Sequence, residues 1–311
     1  MREKILLLDA IPQDLAQRLR EDYQLYDVRD PGAQACAAQF RIALANGESR
    51  ISADDIAPFP ALGLLSIYGV GYDGVDCAAL KARNICLTHT PGVLSADVAD
   101  LAVGLLLALA RDIPGAARFV REGGWSEERY PLQRRVSGSR VGIAGMGRIG
   151  QVIAHRLAAF DCQIHYFSRR DKQLAGYHYQ PSLCQLAEQV DFLIVAMSAG
   201  PENRHLIDGQ VMRSLGPRGY LVNVARGSLV DETALIAALE KGELAGAALD
   251  VLEEEPQVPP ALNRLPNVII TPHIASATRE TRAAMTQLVL DNIHGWIQRG
   301  AVLTPAPGFD T

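Results

Sequence analysis

The sequence predicts an α/β fold made of two doubly wound domains, each built on a parallel sheet. Short apolar runs typical of strands alternate with helix-like segments along the whole chain of 311 residues, as in parallel α/β architecture. A glycine motif at 145–150 opens the second series of strands in mid-chain, so the residues before it must form a different domain. The last predicted helix, around 278–299, follows the final strand and is expected to return to the first domain.

The domain boundaries follow from these runs. Residues 1–96 together with 279–311 are predicted to form one discontinuous domain and residues 97–278 the other, with a ligand cleft between them. The strand at 141–144, directly before the glycine motif, and the five strands after it make six, which is the strand count of a complete dinucleotide-binding sheet. Residues 101–110 are predicted to form a buried helix, and the tail from Thr304 onward to be loose. The predicted strands are 4–8, 42–45, 64–67, 85–88, 141–144, 163–168, 192–196, 220–224, 246–250 and 268–271.

Composition narrows the class of protein. The chain is 48% hydrophobic and 21% charged, as in soluble globular proteins. Its net charge of −5 argues against a nucleic-acid partner, and its longest apolar run is about half as long as a membrane span. The five cysteines show no C-x-x-C pair and no metal-ligand spacing with the seven histidines, so we expect no metal site and the reduced thiols of a cytoplasmic protein. They are Cys36, Cys77, Cys86, Cys162 and Cys184.

A G-x-G-x-x-G motif lies between the strand at 141–144 and an amphipathic helix. Gly145 allows a tight turn, Gly147 lets the backbone approach a pyrophosphate, and Gly150 lets the helix pack closely on the strand. Plain turn glycines are the alternative, but the flanking strand and helix are those that the motif requires. The motif predicts a Rossmann domain that binds a dinucleotide through Gly145, Met146, Gly147, Arg148, Ile149 and Gly150.

Ser168, Arg169 and Arg170 follow the next predicted strand, roughly twenty residues after the glycines. An acidic residue at this offset grips the ribose 2′-hydroxyl of NAD, and it would repel a 2′-phosphate. Two guanidiniums and a hydroxyl would instead bind that phosphate. The segment therefore predicts NADP(H) as the cofactor. A solvated arginine pair with no ligand is the alternative interpretation.

Polar groups follow three of the later strands. Arg226 comes after the strand at 220–224, the run Glu253–Glu255 after 246–250, and His273 after 268–271. Because ligands of open α/β sheets bind beyond the carboxyl ends of the strands, we expect these groups to converge beside the cofactor. Arginine can bind a carboxylate and polarise a carbonyl, and a histidine oriented by a carboxylate can protonate an alkoxide. This chemistry suits the reduction of a 2-oxo acid.

These segments resemble the D-isomer-specific 2-hydroxyacid dehydrogenases over nearly the whole chain. The similarity includes Asn223–Gly227, Leu249–Val251 with Glu255-Pro256, and Thr271–His273. Further matching segments occur in the same order, at Gly69–Asp73, Thr90-Pro91 and Val98–Asp100. Within the family, the chain is most similar to NADP-dependent glyoxylate/hydroxypyruvate reductases and their hydroxyphenylpyruvate-reductase relatives. The resemblance implies a flavodoxin-like substrate domain beside the Rossmann domain, and a homodimer.

The resemblance also implies roles for single residues. Arg226 would bind substrate, Glu255 would orient the histidine, and His273 would be the acid/base. Backbone N–H groups of Val70 and Gly71 would bind the substrate carboxylate. Asp250 would contact the nicotinamide carboxamide, and the cofactor site would also include Val224 and Ala225.

The sequence therefore predicts NADPH-dependent reduction of a small 2-oxo acid, such as glyoxylate, hydroxypyruvate or an arylpyruvate, to the D-2-hydroxy acid. Two alternatives stay open at this point. One is an NAD-dependent D-2-hydroxyacid dehydrogenase of another specificity, which Ser168, Arg169 and Arg170 disfavour. The other is a non-catalytic dinucleotide sensor like the corepressors that share the fold. No nucleic-acid or membrane partner is expected.

Overall fold

Two parallel sheets carry the fold. In the computed structural model, which describes residues 2–309, every pairing between named strands is parallel. The strands are β1 (Lys4–Leu7), β2 (Gln24–Asp27), β3 (Ile42–Asn46), β4 (Leu64–Tyr68), β5 (Cys86–Thr88), β6 (Arg140–Ala144), β7 (Gln163–Phe167), β8 (His178–Gln180), β9 (Phe192–Val195), β10 (Tyr220–Asn223), β11 (Gly246–Leu249) and β12 (Val268–Ile270).

Helices connect these strands. They are α1 (Gln13–Asp22), α2 (Pro31–Ala35), α3 (Ala53–Ile56), α4 (Cys77–Ala82), α5 (Ser95–Ala110), α6 (Ile113–Arg121), α7 (Arg148–Ala158), α8 (Leu183–Glu188), α9 (Gly209–Leu215), α10 (Glu232–Glu240), α11 (Pro260–Arg264) and α12 (Arg279–Arg299). Six of them begin at a side chain that accepts a hydrogen bond from the first helical turn, which replaces a missing helical partner. These N-caps are Ser52, Asp76, Asp112, Ser182, Asp208 and Asp231.

The chain divides into two compact units. One contains the residues up to Leu94 together with those from Arg279 onward, and the other is Ser95–Thr278. The sheet of the first unit has the order β2-β1-β3-β4-β5, which is the flavodoxin-like order. The predicted α/β fold with two parallel sheets is confirmed. The assignment of one unit to substrate and the other to cofactor stays a prediction.

The sheet of the second unit has the order β12-β11-β10-β9-β6-β7-β8. The chain begins this sheet at β6, builds outward through β7 and β8, and then returns to add β9 on the other side of β6. The strand order therefore reverses at β6, and ligands of doubly wound sheets bind beyond the strand ends at such a point. This is where Gly145–Gly150 follows β6.

Burial explains why the central strands form. All the residues of β4, β9 and β11 are buried, as expected for parallel strands covered by helices on both faces. The apolar run 101–110 lies in α5, whose buried residues include Leu105, Leu106 and Leu109.

Two strands and the tail differ from prediction. β2 and β8 were not predicted, and β8 makes the second sheet seven-stranded rather than six-stranded. Both are edge strands with polar residues, among them Gln24 and Gln180, so they lack the apolar run of a central strand. The tail predicted to be loose is packed as far as Phe309, because Ala306 is fully buried and its N–H donates to the Leu87 carbonyl. Residues 310–311 lie outside the described part.

Candidate active site

The glycine motif forms a tight turn after β6. Gly145 has a φ of +104°, and a Cβ there would lie 2.6 Å from the backbone N of Met197. A Cβ at Gly150 would lie 2.0 Å from the Gly145 carbonyl oxygen, so only glycine allows this packing of α7 on the turn. A Cβ at Gly147 would meet no described atom within 4 Å, which leaves open space at the start of α7.

This open space fits a pyrophosphate. Helix α7 begins at Arg148, and no side chain of the described residues caps it at Gly147. The N–H groups of the first turn therefore keep their capacity to donate, and the helix dipole favours an anion there. Met146 is buried, and Ile149 is half-buried beside the turn. The residues present thus suit the dinucleotide that the motif predicts.

A short loop after β7 presents the two predicted arginines. The side chains of Arg169 and Arg170 are exposed, and no described carboxylate forms an ion pair with either of them. Ser168 Oγ donates to the Arg170 carbonyl at 2.6 Å, which closes the loop. The hydroxyl of buried Tyr166 donates to the Asp171 carboxylate and anchors the loop from below.

Arg226 is held at the end of β10 by Asn223. The Asn223 side chain is fully buried. Its Oδ1 accepts from the Ala225 N–H at 3.0 Å, and its Nδ2 donates to the Arg226 carbonyl at 2.9 Å. The guanidinium of Arg226 is half-buried, and its Nη1 donates to the Ala225 carbonyl at 2.8 Å. Asn223 thus fixes the turn that carries Arg226, with Val224 buried before it.

Asp250 organises the loop that follows β12. Its carboxylate is buried and accepts three hydrogen bonds: from Thr271 Oγ1 at 2.6 Å, from the Ile274 N–H at 2.9 Å and from the Ala275 N–H at 2.9 Å. Its carbonyl oxygen also accepts the His273 N–H at 2.9 Å. The resemblance assigned Asp250 to the nicotinamide, and this holding role was missed. A polar residue at the end of an apolar strand was the available signal.

His273 and Glu255 form a hydrogen-bonded pair. Nδ1 of His273 lies 2.8 Å from Oε2 of Glu255, while Oε1 of Glu255 accepts the Leu252 N–H at 2.8 Å. Burial alone would raise the pKa of Glu255, but the hydrogen bond and charge of His273, the Leu252 N–H and the charge of Arg226 together lower it. Glu255 is therefore an anion that orients the ring, and Nε2 is the nitrogen that can exchange a proton.

The remaining predicted residues lie in the first unit. Val70 and Gly71 are half-buried in the loop that follows β4. Nδ1 of His89 lies 2.9 Å from the Val70 carbonyl oxygen, so His89 packs against this loop. The roles of Val70 and Gly71 stay predictions.

The structure thus brings Arg226, Glu255 and His273 to the carboxyl-end loops of neighbouring strands in one unit. A hydrogen-bonded histidine–carboxylate pair with an arginine near the carboxylate can bind an acid and move a proton. Separately, no helix among residues 2–309 is both long enough and apolar enough to cross a membrane.

Comparison with known proteins agrees with this geometry. The family model of the D-isomer specific 2-hydroxyacid dehydrogenase, NAD binding domain, matches residues 103–275. Glyoxylate/hydroxypyruvate reductase A of Arabidopsis thaliana is 44% identical over 265 residues, with 85% of each chain covered. Hydroxyphenylpyruvate reductase of Plectranthus scutellarioides is 40% identical, with 97% of this chain and 98% of the relative covered.

Solved structures agree as well. The NADPH-dependent glyoxylate/hydroxypyruvate reductase of Sinorhizobium meliloti, in complex with NADP and malonate, superposes with a TM-score of 0.92 at 40% identity, covering 99% of this chain and 97% of that one. The 2-hydroxyacid dehydrogenase of Ketogulonicigenium vulgare Y25 gives a TM-score of 0.92 at 43% identity, covering 98% and 99% of the two chains. The chain belongs to the D-isomer-specific 2-hydroxyacid dehydrogenase family and contains its NAD(P)-binding domain.

Proposed function

We propose that the protein is an NADPH-dependent reductase that converts a small 2-oxo acid to the D-2-hydroxy acid. The observation that carries this proposal is the hydrogen bond of 2.8 Å between His273 Nδ1 and Glu255, in a unit that also holds Arg226 close enough to lower the pKa of Glu255. These are the groups needed to bind a 2-oxo acid and to protonate its carbonyl oxygen as it is reduced.

Each residue has a defined task in this proposal. The nicotinamide, when bound, supplies a hydride to the carbonyl carbon. His273 gives the proton from Nε2 to the carbonyl oxygen, and Glu255 stabilises the imidazolium before that transfer. Arg226 binds the carboxylate and polarises the carbonyl through its guanidinium. Val70 and Gly71 are assigned to the substrate carboxylate through their N–H groups.

The cofactor assignment rests on the loop after β7. Arg169 and Arg170 are exposed without an ion pair to described carboxylates, so their charge is available for a 2′-phosphate. No acidic side chain stands where an NAD enzyme places one, because that position holds Ser168. The S. meliloti relative binds NADP. The pyrophosphate is assigned to 145–150, and the nicotinamide end to Val224, Ala225 and Asp250.

The substrate class is supported by the relatives. Two curated proteins that the chain matches over most of its length are named as reductases of glyoxylate and hydroxypyruvate and of hydroxyphenylpyruvate. We assign the same class, a 2-oxo acid with a small or aryl side chain, to this protein. We also assign a cytoplasmic location, because all five cysteines are free thiols and reducing compartments keep thiols in this form.

We further propose that the protein acts as a homodimer. Large apolar side chains are exposed along the segment from α6 to Leu132, including Trp125 at 73% and Leu132 at 101%. The same segment carries Glu127 and Glu128, while a neighbouring cavity of about 590 Å³ is lined by Arg111 and other arginines. Such an apolar patch with complementary charge is typical of an interface between copies.

The proposed function is tested by initial rates of reduction of glyoxylate, hydroxypyruvate, pyruvate and phenylpyruvate, each with NADPH and with NADH. We expect rapid turnover of at least one acceptor and a strong preference for NADPH. Turnover with NADH as fast as with NADPH would contradict the assignment of NADP(H) as the cofactor. Tight binding of NADPH without turnover of any acceptor would indicate that the protein is a dinucleotide sensor and not an enzyme.

A further inference from the structure

Glu253 is the centre of a hydrogen-bonded network two residues before Glu255. The guanidinium of Arg204 pairs with Oε1 of Glu253, and Nε2 of His205 lies 2.9 Å from the same oxygen. The Glu253 side chain is only 16% exposed. Its own N–H donates to Oε1 of Glu232 at 2.6 Å. We call Arg204, His205, Glu232 and Glu253 the Glu253 network. Neither the general acid–base pair nor the cofactor turn includes any of them.

The network is bonded to the loop that carries Arg226. The His205 N–H donates to the Ser228 carbonyl at 2.9 Å, and the Ile207 N–H donates to the Leu229 carbonyl at 2.9 Å. The segment that supplies Arg204 and His205 therefore runs beside the residues directly after Arg226. One short segment thus holds the Glu253 carboxylate through its side chains and the Arg226 loop through its backbone.

The Arg226 loop and the Glu253 loop also touch each other. A Cβ at Gly227 would lie 1.9 Å from the carbonyl carbon of Leu252 and 2.3 Å from the N of Glu253. Only a glycine permits this approach of two backbones. A displacement of one loop is therefore passed directly to the other.

A short path leads from the network to the histidine. The Leu252 N–H donates to Oε1 of Glu255, and Oε2 of Glu255 accepts from His273, each at 2.8 Å. Leu252 is the residue before Glu253, so the backbone that Glu253 anchors also presents the N–H that orients Glu255. Misplacement of catalytic groups by about 1 Å costs on the order of a hundredfold in rate.

His205 has a backbone conformation that its partners must maintain. Its φ of 54° lies in the left-handed region, which a residue with a Cβ adopts at a cost in free energy. The bond to Ser228 on its backbone and the bond to Glu253 on its ring both hold this conformation. The segment that contains His205 is thus held at two points, as expected of a segment that positions Glu253 and the Arg226 loop.

We propose that Glu253 is a positioning residue for the reduction, which Arg204 and His205 hold in place so that Glu255 and the Arg226 loop keep their mutual arrangement. This inference rests on the proposed function. Glu253 itself touches none of the reacting atoms in this proposal, and it acts through Glu255 and through the backbone of the two loops.

The kinetic test compares Glu253→Ala with Glu254→Ala, which removes the same charge from the exposed neighbouring residue. We expect Glu253→Ala to lower kcat about tenfold to a hundredfold, the size of a positioning defect, while the KM for NADPH changes little. Glu253→Gln keeps an oxygen acceptor for Arg204 and His205 and should restore most of kcat. A Glu253→Ala enzyme as fast as Glu254→Ala would overturn the proposal.

A second comparison asks whether Glu253 acts through Glu255. In a Glu255→Gln background the orienting carboxylate is already lost, so adding Glu253→Ala should lower kcat much less than it does in the wild type. Groups that act as one unit show such non-additive effects. An undiminished effect in the Glu255→Gln background would contradict the proposed path.

Hydrogen exchange of the amides at 251–255 separates this inference from the proposed function, because it needs no activity. We expect faster exchange in Glu253→Ala than in Glu254→Ala, because the loop loses its anchor. If the wild type reduced no 2-oxo acid, the proposed function would fail, yet the exchange would still show whether the network holds the loop. Equal exchange rates in both variants would overturn the proposal that the Glu253 network holds this loop. Glu253→Gln, which keeps the size of the side chain, serves if Glu253→Ala does not fold.

Discussion

At the scale of single residues, the conformation of His273 is imposed by its neighbours. Its φ of 51° lies in the left-handed region, and the bond from its N–H to the Asp250 carbonyl fixes it there. Its ring is oriented by Glu255 at 2.8 Å. Such strained, over-determined positions are frequent at active sites. The pair presents Nε2 as the proton-donating atom only while Glu255 is ionised, which its lowered pKa ensures near neutral pH.

Removal of this imidazole tests its proposed role. We expect His273→Ala to lower kcat by roughly 10²–10⁴, the contribution of a positioned general acid. The control is His155→Ala, because His155 is an exposed residue of α7. Steady-state rates with glyoxylate and NADPH measure both variants. Near-normal turnover in His273→Ala would show that another group supplies the proton.

Arg226→Lys separates charge from geometry at the substrate carboxylate. An ammonium keeps the charge but lacks the planar fork that binds a carboxylate through two parallel hydrogen bonds. We expect the KM for the 2-oxo acid to rise about tenfold or more, the cost of one charge-assisted hydrogen bond. Arg264→Lys, on an exposed arginine of α11, is the control. An unchanged KM in Arg226→Lys would show that Arg226 does not bind the substrate carboxylate.

Some of these residues could be predicted from the sequence and others could not. Arg226, Glu255 and His273 lie in segments that resemble the family and follow apolar strands, so the sequence alone indicated them. The holding role of Asn223 and the proposed role of Glu253 depend on which backbone groups come near them after folding. No spacing in the sequence carries that information.

At the scale of elements, the loop after β7 should set the cofactor preference. Replacing Ser168 by Asp and Arg169 by Leu introduces a carboxylate for the ribose 2′-hydroxyl and removes one guanidinium. We expect the ratio of kcat/KM for NADPH to that for NADH to fall by about tenfold or more, because a charged hydrogen-bonded contact is lost and a repulsive one is gained. The measurement is kcat/KM for NADPH and for NADH in the wild type and in the variant, and it compares the ratio of the two values between the two proteins. An unchanged ratio would place the discrimination outside this loop.

At the start of α10, Glu232 should make stability depend on pH. Burial raises the pKa of its carboxyl, and the charges of Glu253, Glu254 and Glu255 raise it further, against the lowering by the Glu253 N–H. The folded state then binds a proton more tightly than the unfolded state, so stability is lost as pH rises from the ordinary value of 4.5 through the raised pKa.

Glu232→Gln removes this ionisation and keeps an oxygen that accepts the Glu253 N–H. We expect its Tm to exceed that of the wild type at about pH 7, and the difference to shrink towards about pH 4, where the carboxyl is protonated in both states. Glu240→Gln is the control, because Glu240 is exposed at the other end of the same helix. A Glu232→Gln protein less stable than the wild type at about pH 7 would contradict the argument.

The elements themselves were predictable where strands are apolar. Buried strands such as β4 and β9 stand out as apolar runs, whereas β2 and β8 do not, because an edge strand has only one neighbour and tolerates polar side chains. The packing of the C-terminal tail was not predicted either, for a different reason. The Ala306 N–H donates to the Leu87 carbonyl, which is distant in sequence, and the prolines of the tail alone suggested a loose segment.

At the scale of the whole molecule, the proposed homodimer is tested by measuring the mass of the protein in solution by sedimentation. The wild type should sediment at twice the chain mass of 33.6 kDa. Leu132→Asp places a charge in the exposed apolar segment, and we expect it to sediment as a monomer, because burying an unpaired carboxylate in an interface is costly. Leu303→Asp alters another exposed leucine and should remain dimeric. A wild type that sediments as a monomer would exclude the proposed homodimer.

The architecture was predictable at this scale because one motif divides the chain. The apolar strand before Gly145–Gly150 and the five after it require a sheet of their own, and the earlier strands then need another, as the two observed sheet orders show. The association of two copies depends on surfaces that no periodic pattern in the sequence marks.

The central claim is that these residues direct a hydride from NADPH to the carbonyl carbon of a 2-oxo acid and a proton to its oxygen. Reduction of hydroxypyruvate with NADPH that carries two deuterium atoms at C4 tests it directly. The account predicts D-glycerate with one deuterium at C2. Glycerate without deuterium, the L-isomer, or no product from hydroxypyruvate or any other 2-oxo acid would contradict it.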